Sequence, residues 1–233
     1  MFRWIAFDAD DTLWKNEEYY REGRIRFQEI LSRYGAALDD GVEVDRVESE
    51  NIEYYGYGVM SFILSLIEMG IRETRGALKA KDVQELLDLG KEMLSKKIQL
   101  MQGTIQVLDE LQGQAQLLLI TKGDLNHQLK KVKESGLRDF FQAVEVVNEK
   151  SSGTYSAILK NYRILPEQFV MVGNSIRSDI KPVLEIGAFA VHLADHLSWS
   201  HEDDQLEEEY RERFRSVSGL TDVPAALEAL TRD

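Results

Sequence analysis

The sequence predicts an α/β protein with a doubly wound, mainly parallel five-stranded sheet and an α-helical domain inserted after the first strand. Three observations support this prediction. Five short apolar segments are rich in Val, Ile, Leu and Phe, helical patterns alternate with them from residue 115 onward, and the long segment between the first two contains no convincing strand. Strands that alternate with helices are typical of a parallel sheet covered by helices.

The predicted strands share a composition that is typical of buried parallel strands. They are the segments 2–7, 115–121, 142–147, 168–173 and 188–193. Apolar runs such as 117–120 and 169–172 are nearly continuous rather than alternating, which indicates burial on both faces of the sheet. Helices are predicted between and after the later strands, at 124–135, 153–162, 176–186 and 221–230.

Residues 15–112 form the predicted insert, so the core domain comprises 1–14 and 113–233. Its amphipathic helices are predicted at 17–35, 42–57, 59–72 and 82–112, the last broken near Gly103. Phe27, Ile30 and Leu31 have the spacing of one apolar helix face. A connection of this length exceeds an ordinary crossover between strands, which favours a separate helical domain.

Composition and charge exclude several classes of protein. The 233 residues include no cysteine, which excludes disulfides, thiolate zinc sites and cysteine nucleophiles in this chain. A formal net charge of −13 argues against nonspecific binding to nucleic acid or to an anionic membrane. The acidic run 202–209 is assigned to a solvated surface. With no leader and no long apolar run, a soluble cytoplasmic protein is expected.

Acidic residues follow the first predicted strand directly: Asp8, Asp10 and Asp11. A buried carboxylate is costly unless a partner compensates its charge. A hard cation held by oxygen ligands, most often Mg²⁺, provides such compensation. The sequence therefore predicts a metal and a nucleophile at the end of this strand.

Other polar residues follow the ends of later predicted strands. Thr121 ends the second strand, Lys150 follows the third, and the segment from Asn174 to Asp179 follows the fourth. Ligands of open α/β sheets bind outside the carboxyl ends of the strands. These residues are therefore predicted to share one site with Asp8 and Asp10.

Together these motifs resemble the haloacid dehalogenase superfamily, in its phosphatase branch. They are Asp8-Ala9-Asp10-Asp11-Thr12, Thr121 followed by Lys122, Lys150 before a helix, and Gly173-Asn174-Ser175-Ile176-Arg177-Ser178-Asp179. The resemblance covers nearly the whole chain. It implies a Rossmann-like core, and the insert resembles the helical cap of the C1 type.

The resemblance implies a Mg²⁺-dependent phosphomonoesterase that acts on a small phosphorylated metabolite. Asp8 would form an aspartyl-phosphate, and Asp10 would act as general acid and then as general base. The implied catalytic residues are Asp8, Asp10, Thr121 and Lys150. The implied phosphate-binding residues are Thr121, Lys122 and Lys150, and the implied metal ligands are Asp8, Asp10, Asn174 and Asp179.

Two residues depart from the family pattern. Asn174 stands where the family usually has Asp, which leaves open whether Asn174 or Asp179 contacts the metal directly. Asp11 replaces the usual Gly, and no role is predicted for it.

A sugar-phosphate mutase and a catalytically weak binding or regulatory protein remain alternatives. Asp10 disfavours a dehalogenase, because dehalogenases lack the second aspartate of the first motif.

Overall fold

The computed structural model describes residues 2–36, 42–194 and 208–231. The chain divides into two compact units: a sheet unit, Met1–Glu17 with Ile98–Asp233, and a helical unit, Glu18–Lys97. The boundaries predicted at residues 14 and 112 differ from this division. The second differs most, because Val107, Leu108 and Leu111 pack in the core of the sheet unit.

The fold class is confirmed, but within the described residues the sheet has six strands rather than five. They are β1 (Trp4–Phe7), β2 (Gln116–Lys122), β3 (Ala143–Val147), β4 (Phe169–Gly173), β5 (Phe189–Leu193) and β6 (Phe214–Val217). The order is β3-β2-β1-β4-β5-β6, and every neighbouring pair is parallel. The strand that the prediction missed, β6, extends the sheet beyond β5.

Burial on both faces explains the continuous apolar runs of the strands. In β1, Ile5 and Phe7 pack in one apolar cluster and Ala6 packs in another. Successive side chains of a strand point to opposite faces, so these two clusters lie on the two sides of the sheet. The core therefore holds β1 rigidly in the middle of the sheet, directly before the acidic motif.

The helices confirm most of the predicted pattern. In chain order they are α1 (Glu17–Ser32), α2 (Val42–Tyr55), α3 (Val59–Glu73), α4 (Ala80–Ser95), α5 (Thr104–Gln112), α6 (Leu125–Ser135), α7 (Ser152–Tyr162), α8 (Lys181–Glu185) and α9 (Val223–Leu230). The predicted break near Gly103 separates α4 from α5, and Gly103 has a positive φ of 85°. None of the described helices has the length and apolar character that crossing a membrane requires.

The predicted helix 176–186 is instead one π-helical turn, Ile176–Ile180, followed by the short α8. Pro182 explains the change, because it has no N–H to donate to the carbonyl of Ser178 in a continuous α-helix. The hydroxyl of Tyr155 donates to that carbonyl instead, at 3.1 Å. This irregular turn carries Asp179.

The helical unit has its own apolar core. Phe27, Ile30 and Leu31 of α1 are buried there, as their spacing predicts, together with Phe62 and Leu66 of α3. Residues 202–207 of the acidic run lie outside the described part of the chain.

Candidate active site

Asp8 lies at the carboxyl edge of the sheet, between the two strands that carry the other motifs. Phe7, the last residue of β1, is level with Leu119 of β2 and Val172 of β4. The N–H of Asp8 donates to the carbonyl of Val172 at 2.9 Å. The motif that follows β1 and those that end β2 and β4 therefore meet at the same edge.

Lys150 joins two of the predicted carboxylates. It lies just before α7, whose first turn is capped by the side chain of Ser151, and it is buried. Its ammonium group donates to Oδ1 of Asp8 and, at 2.6 Å, to Oδ1 of Asp179. Two buried carboxylates thus share one ammonium, which leaves a net negative charge in this cluster.

Because Lys150 is shared with Asp179, its positive charge does not fully offset the negative charge of Asp8. Burial raises the pKa of Asp8 to about 7; Lys150 opposes that rise, whereas Asp179 and Asp10 add to it. Burial also disfavours the charge of Lys150, but Asp179 and Asp8 outweigh it, so the pKa of Lys150 is well above its usual value. A carboxylate that binds a proton this readily also favours the approach of a cation, and such perturbed groups cluster at functional sites.

The π-helical turn fixes Asp179 against the end of β4. Oδ2 of Asp179 accepts a hydrogen bond from the N–H of Ser175 at 3.1 Å. The α-carbon of Gly173 lies so close that any side chain there would collide with the carboxylate of Asp179. Glycine at position 173 is therefore a packing requirement of the site.

Asn174 reaches the first motif by a different route. Its side-chain oxygen accepts a hydrogen bond from the hydroxyl of Thr12 at 3.2 Å, and its backbone carbonyl lies 3.0 Å from Nε2 of His192. Asn174 therefore contacts the loop after Asp8, whereas Asp179 shares the ammonium of Lys150 with Asp8.

Thr121 presents a hydroxyl without a partner. The residue is 1% exposed, and Oγ1 makes no hydrogen bond within the described part of the chain. A buried polar group left unsatisfied costs about 1–3 kcal/mol. At the edge of the sheet beside Asp8, such a hydroxyl is suited to a ligand oxygen.

Lys122, the last residue of β2, directs its side chain toward the fourth motif. Its ammonium group donates to Oγ of Ser178 at 2.9 Å. Its backbone carbonyl accepts from Nε2 of Gln128 at 3.1 Å. The side chain of Lys122 therefore contacts the fourth motif.

The contacts of Asp10 were not predicted from the sequence. Its Oδ1 accepts from Nε1 of Trp14 and from Nζ of Lys131, each at 2.5 Å, and its Oδ2 accepts from Nε2 of Gln128 at 2.9 Å. Burial opposes the charge of Asp10, but Lys131 and the hydrogen bonds outweigh it and lower the pKa. One sequence feature could have indicated these contacts: Gln128 and Lys131 are three residues apart, which places them on one face of α6.

The structure also explains Asp11. It has a positive φ of 60°, a conformation that glycine adopts freely and that aspartate tolerates better than most residues. Its carboxylate accepts from the N–H groups of Asn16, at 2.8 Å, and Glu17, at 3.0 Å, where α1 begins. Burial raises the pKa of Asp11 to about 7, although these hydrogen bonds oppose the shift.

The oxygen donors at this edge of the sheet suit Mg²⁺ better than a metal that needs many protein ligands. Among the residues that the structure describes, no three acidic or histidine side chains converge into a group that could hold a metal by themselves. Mg²⁺ needs fewer protein ligands, because it usually keeps several waters and binds one or two carboxylates. Asp8, Asp179 and the amide oxygen of Asn174 supply such hard oxygen donors, and the net negative charge around Lys150 suits a cation.

Comparisons with known proteins identify relatives of this chain. A solved haloacid dehalogenase-like family hydrolase from Xanthomonas campestris is 37% identical, has a TM-score of 0.86, and covers 98% of this chain and 91% of its own. Human N-acylneuraminate-9-phosphatase is 27% identical over 196 residues, 79% of each chain. Glyceraldehyde 3-phosphate phosphatase from Methanocaldococcus jannaschii is 26% identical, over 96% of this chain and 97% of its own.

The family model of haloacid dehalogenase-like hydrolases matches residues 2–187, well over half of the sequence. That range contains β1 to β4 and every residue described above at the edge of the sheet except His192. The chain therefore belongs to the haloacid dehalogenase-like hydrolase family.

Proposed function

We propose that this hydrolase is a Mg²⁺-dependent phosphomonoesterase that acts on a small phosphorylated metabolite through an aspartyl-phosphate intermediate. One observation carries the proposal: Asp8 is buried at the centre of the sheet edge and shares the ammonium of Lys150 with Asp179. Membership of the family and the likeness to two named phosphatases support it.

In the proposed first step, a carboxylate oxygen of Asp8 attacks phosphorus, and the bond between phosphorus and the leaving oxygen breaks. Asp10 gives its proton to the leaving oxygen, so that an alcohol departs. The lowered pKa of Asp10 favours its ionised form in the free protein. A dianionic substrate adds negative charge beside Asp10, which raises that pKa and makes the protonated form accessible.

In the proposed second step, Asp10 accepts a proton from a water molecule that attacks the phosphorus of the aspartyl-phosphate. The acyl phosphate bond breaks, inorganic phosphate is released and the carboxylate of Asp8 is restored. The ionised state that Lys131 favours in Asp10 suits this role as a base.

The other residues would bind the phosphoryl group. The unpartnered hydroxyl of Thr121 would donate to a phosphoryl oxygen, and so would the backbone N–H of Lys122. Lys150 would stabilise the negative charge that develops during transfer. Mg²⁺, held by Asp8, Asp10, Asn174 and Asp179, would supply the positive charge that lets an anionic nucleophile meet an anionic phosphate.

The substrate class follows the two relatives, which are named N-acylneuraminate-9-phosphatase and glyceraldehyde 3-phosphate phosphatase. A small organic phosphate is proposed here as well. The helical unit, Glu18–Lys97, is proposed to restrict which substrate is accepted, the role that the resemblance implies for an inserted cap.

Hydrolysis of 4-nitrophenyl phosphate by the purified protein tests the proposal. Turnover is expected with Mg²⁺ and is expected to disappear with a chelator. Asp8→Asn should lower turnover by at least about 1,000-fold, because the nucleophile is removed. Asp139→Asn, at an exposed position, is the matched control and should be fully active. Undiminished activity of Asp8→Asn would overturn the assignment of the nucleophile.

Two further measurements separate the alternatives. With a hexose 1-phosphate, a phosphatase releases inorganic phosphate, whereas a mutase forms an isomeric sugar phosphate. A regulatory or binding protein would show neither turnover across a panel of phosphates nor Mg²⁺ binding by calorimetry.

A further inference from the structure

The carboxylate of Asp10 is held in place by more contacts than its negative charge alone requires. Helix α6 supplies a donor to each of its two carboxylate oxygens: Lys131 to Oδ1 and Gln128 to Oδ2. The indole N–H of Trp14 also donates to Oδ1. Donors on both oxygens fix the plane of the carboxylate. Lys131 is the charged donor among these three, and hydrogen bonds from a charged group are stronger than those between neutral groups.

Lys131 is itself immobilised. The residue is 6% exposed, and its ammonium group binds Oδ1 of Asp10 at 2.5 Å and the side-chain oxygen of Asn16 at 3.1 Å. Lys131 directly precedes Val132 on α6, and Val132 is buried in the apolar core of the sheet unit. The ammonium group therefore has a fixed position from which to orient Asp10.

Gln128 is fixed in the same way. Its amide nitrogen donates both to Oδ2 of Asp10 and to the carbonyl of Lys122 at the end of β2. The side chain is buried, and it lies against Gly123. The strand that carries Thr121 and the carboxylate of Asp10 are thus linked through one amide group.

Proton transfer makes this orientation matter. A general acid must bring its oxygen within about 2.6–3.2 Å of the atom that it protonates. A carboxyl group held in one plane reaches that geometry without further ordering, whereas a rotating group would lose part of the benefit of its proximity.

We propose that Lys131 is a positioning residue that holds the carboxyl group of Asp10 in the plane needed for proton transfer to the leaving oxygen, with Gln128 as its second anchor. The proposal rests on the phosphatase function proposed above. It assigns to α6 a role in the reaction beyond covering the sheet.

Leaving-group dependence tests the role directly. Phenyl phosphate and 4-nitrophenyl phosphate are similar in size, but phenol, with a pKa of about 10, needs protonation as it leaves far more than the acidic 4-nitrophenol does. Lys131→Met keeps the apolar stem and removes the ammonium group. It is expected to lower kcat/KM about 100-fold for phenyl phosphate and less than tenfold for 4-nitrophenyl phosphate.

Lys133→Met is the matched control, because Lys133 is exposed on the same helix. It should leave both values of kcat/KM unchanged. Gln128→Met provides a second test of the same kind, with the same order of effects, and it carries the test if Lys131→Met does not fold.

The outcomes separate this proposal from the proposed function. No turnover of either substrate by the wild-type protein would contradict the phosphatase itself. An active wild-type protein whose Lys131→Met and Gln128→Met variants lose the same factor on both substrates, or lose none, would overturn the positioning role. A purely structural defect lowers both rates together, so only an unequal loss supports the proposal.

Discussion

Two buried aspartates, one in each unit, have opposite pKa shifts. Asp82 of the helical unit is 1% exposed and Asp8 of the sheet unit is 6% exposed. Asp82 accepts from the hydroxyl of Tyr34 and from Nη1 of Arg33, and these hydrogen bonds lower its pKa in spite of burial. Burial raises the pKa of Asp8 to about 7 in spite of Lys150.

The two pKa shifts differ because the second carboxylate that binds each cation is exposed in the helical unit and buried in the sheet unit. Arg33 also binds Glu85, but the side chains of Arg33 and Glu85 are 42% and 41% exposed, so water screens their charges. In the sheet unit the second carboxylate, Asp179, is as buried as Lys150 itself. An excess charge that the fold leaves unscreened therefore distinguishes the site from a structural ion pair.

The largest effect is expected from removing the shared cation. Lys150→Met would leave Asp8 and Asp179 buried without their ammonium partner, and kcat/KM is expected to fall about 100- to 1,000-fold. Arg33→Met, which removes the corresponding cation of the helical unit, should keep kcat/KM within about twofold while lowering the melting temperature. Steady-state kinetics and thermal melting of both variants provide the measurement. Comparable losses of activity in the two variants would contradict the distinction.

The second prediction concerns stability as a function of pH, measured without Mg²⁺. The pKa of Asp8 is about 7 in the folded chain and about 3.9 in an unfolded one, so between these values the folded state binds more protons. Its contribution is present below the unfolded pKa and is lost as the pH rises through 7, with a slope of at most about 1.4 kcal/mol per pH unit.

Asp8→Asn should remove that decline. The difference in unfolding free energy between wild type and Asp8→Asn, from denaturant titrations at pH 5 and pH 8, should therefore move in favour of the variant at pH 8. Asp82→Asn is the control: a group with a lowered pKa contributes fully above the unfolded value, so its penalty should be the same at both pH values. Equal pH profiles for the two variants would show that Asp8 is compensated as well as Asp82.

How much of this site could be predicted from the sequence depends on which interactions are local. Asp8, Thr121 and Asn174 follow strands whose continuous apolar runs predict a buried parallel sheet, and parallel strands bring their carboxyl ends to one edge. Strand β6 was not predicted because its four residues contain only two apolar side chains, Phe214 and Val217. Both are only partly buried, and the strand is held in the sheet by its pairing with β5.

The remaining differences come from tertiary contacts. The contact of Lys131 with Asp10 joins residues 121 positions apart, and nothing in the sequence shows which face of α6 meets the first motif. The cap that Asp11 provides for Asn16 requires a positive φ, which a sequence pattern does not reveal. The boundary predicted at residue 112 differs from the observed division because α5 has helical periodicity but packs in the core of the sheet unit.

The third prediction tests how tightly Asp179 is held. Gly173→Ala would place a methyl group against the carboxylate of Asp179, so the turn would have to shift. We expect a loss of about 1–3 kcal/mol in unfolding free energy together with reduced turnover. Gly113→Ala is the control, because its φ is −80° and the new methyl group would meet no atom within 4 Å. That variant should be neutral or slightly more stable, and a similar loss in both would contradict the packing requirement.

The fourth and smallest expected effect comes from adding charge to the cluster rather than removing it. Asn174→Asp would add a carboxylate at the end of β4, against the loop that follows Asp8, while still accepting from Thr12. Because the cluster already has a net negative charge, the variant is expected to be less stable without metal and to bind Mg²⁺ about tenfold more tightly, a difference of about 1.4 kcal/mol.

Calorimetric titration with Mg²⁺ measures this effect, and Asn161→Asp, at an exposed position of α7, controls for net charge alone. Tighter binding in Asn174→Asp only would place residue 174 at the metal. Unchanged affinity in both variants would assign the metal contact to Asp179 instead, since a new carboxylate strengthens binding only where its oxygen can reach the ion. The difference between Asp8 and Asp82 would then depend only on Asp8 and Asp179, the two carboxylates that Lys150 joins.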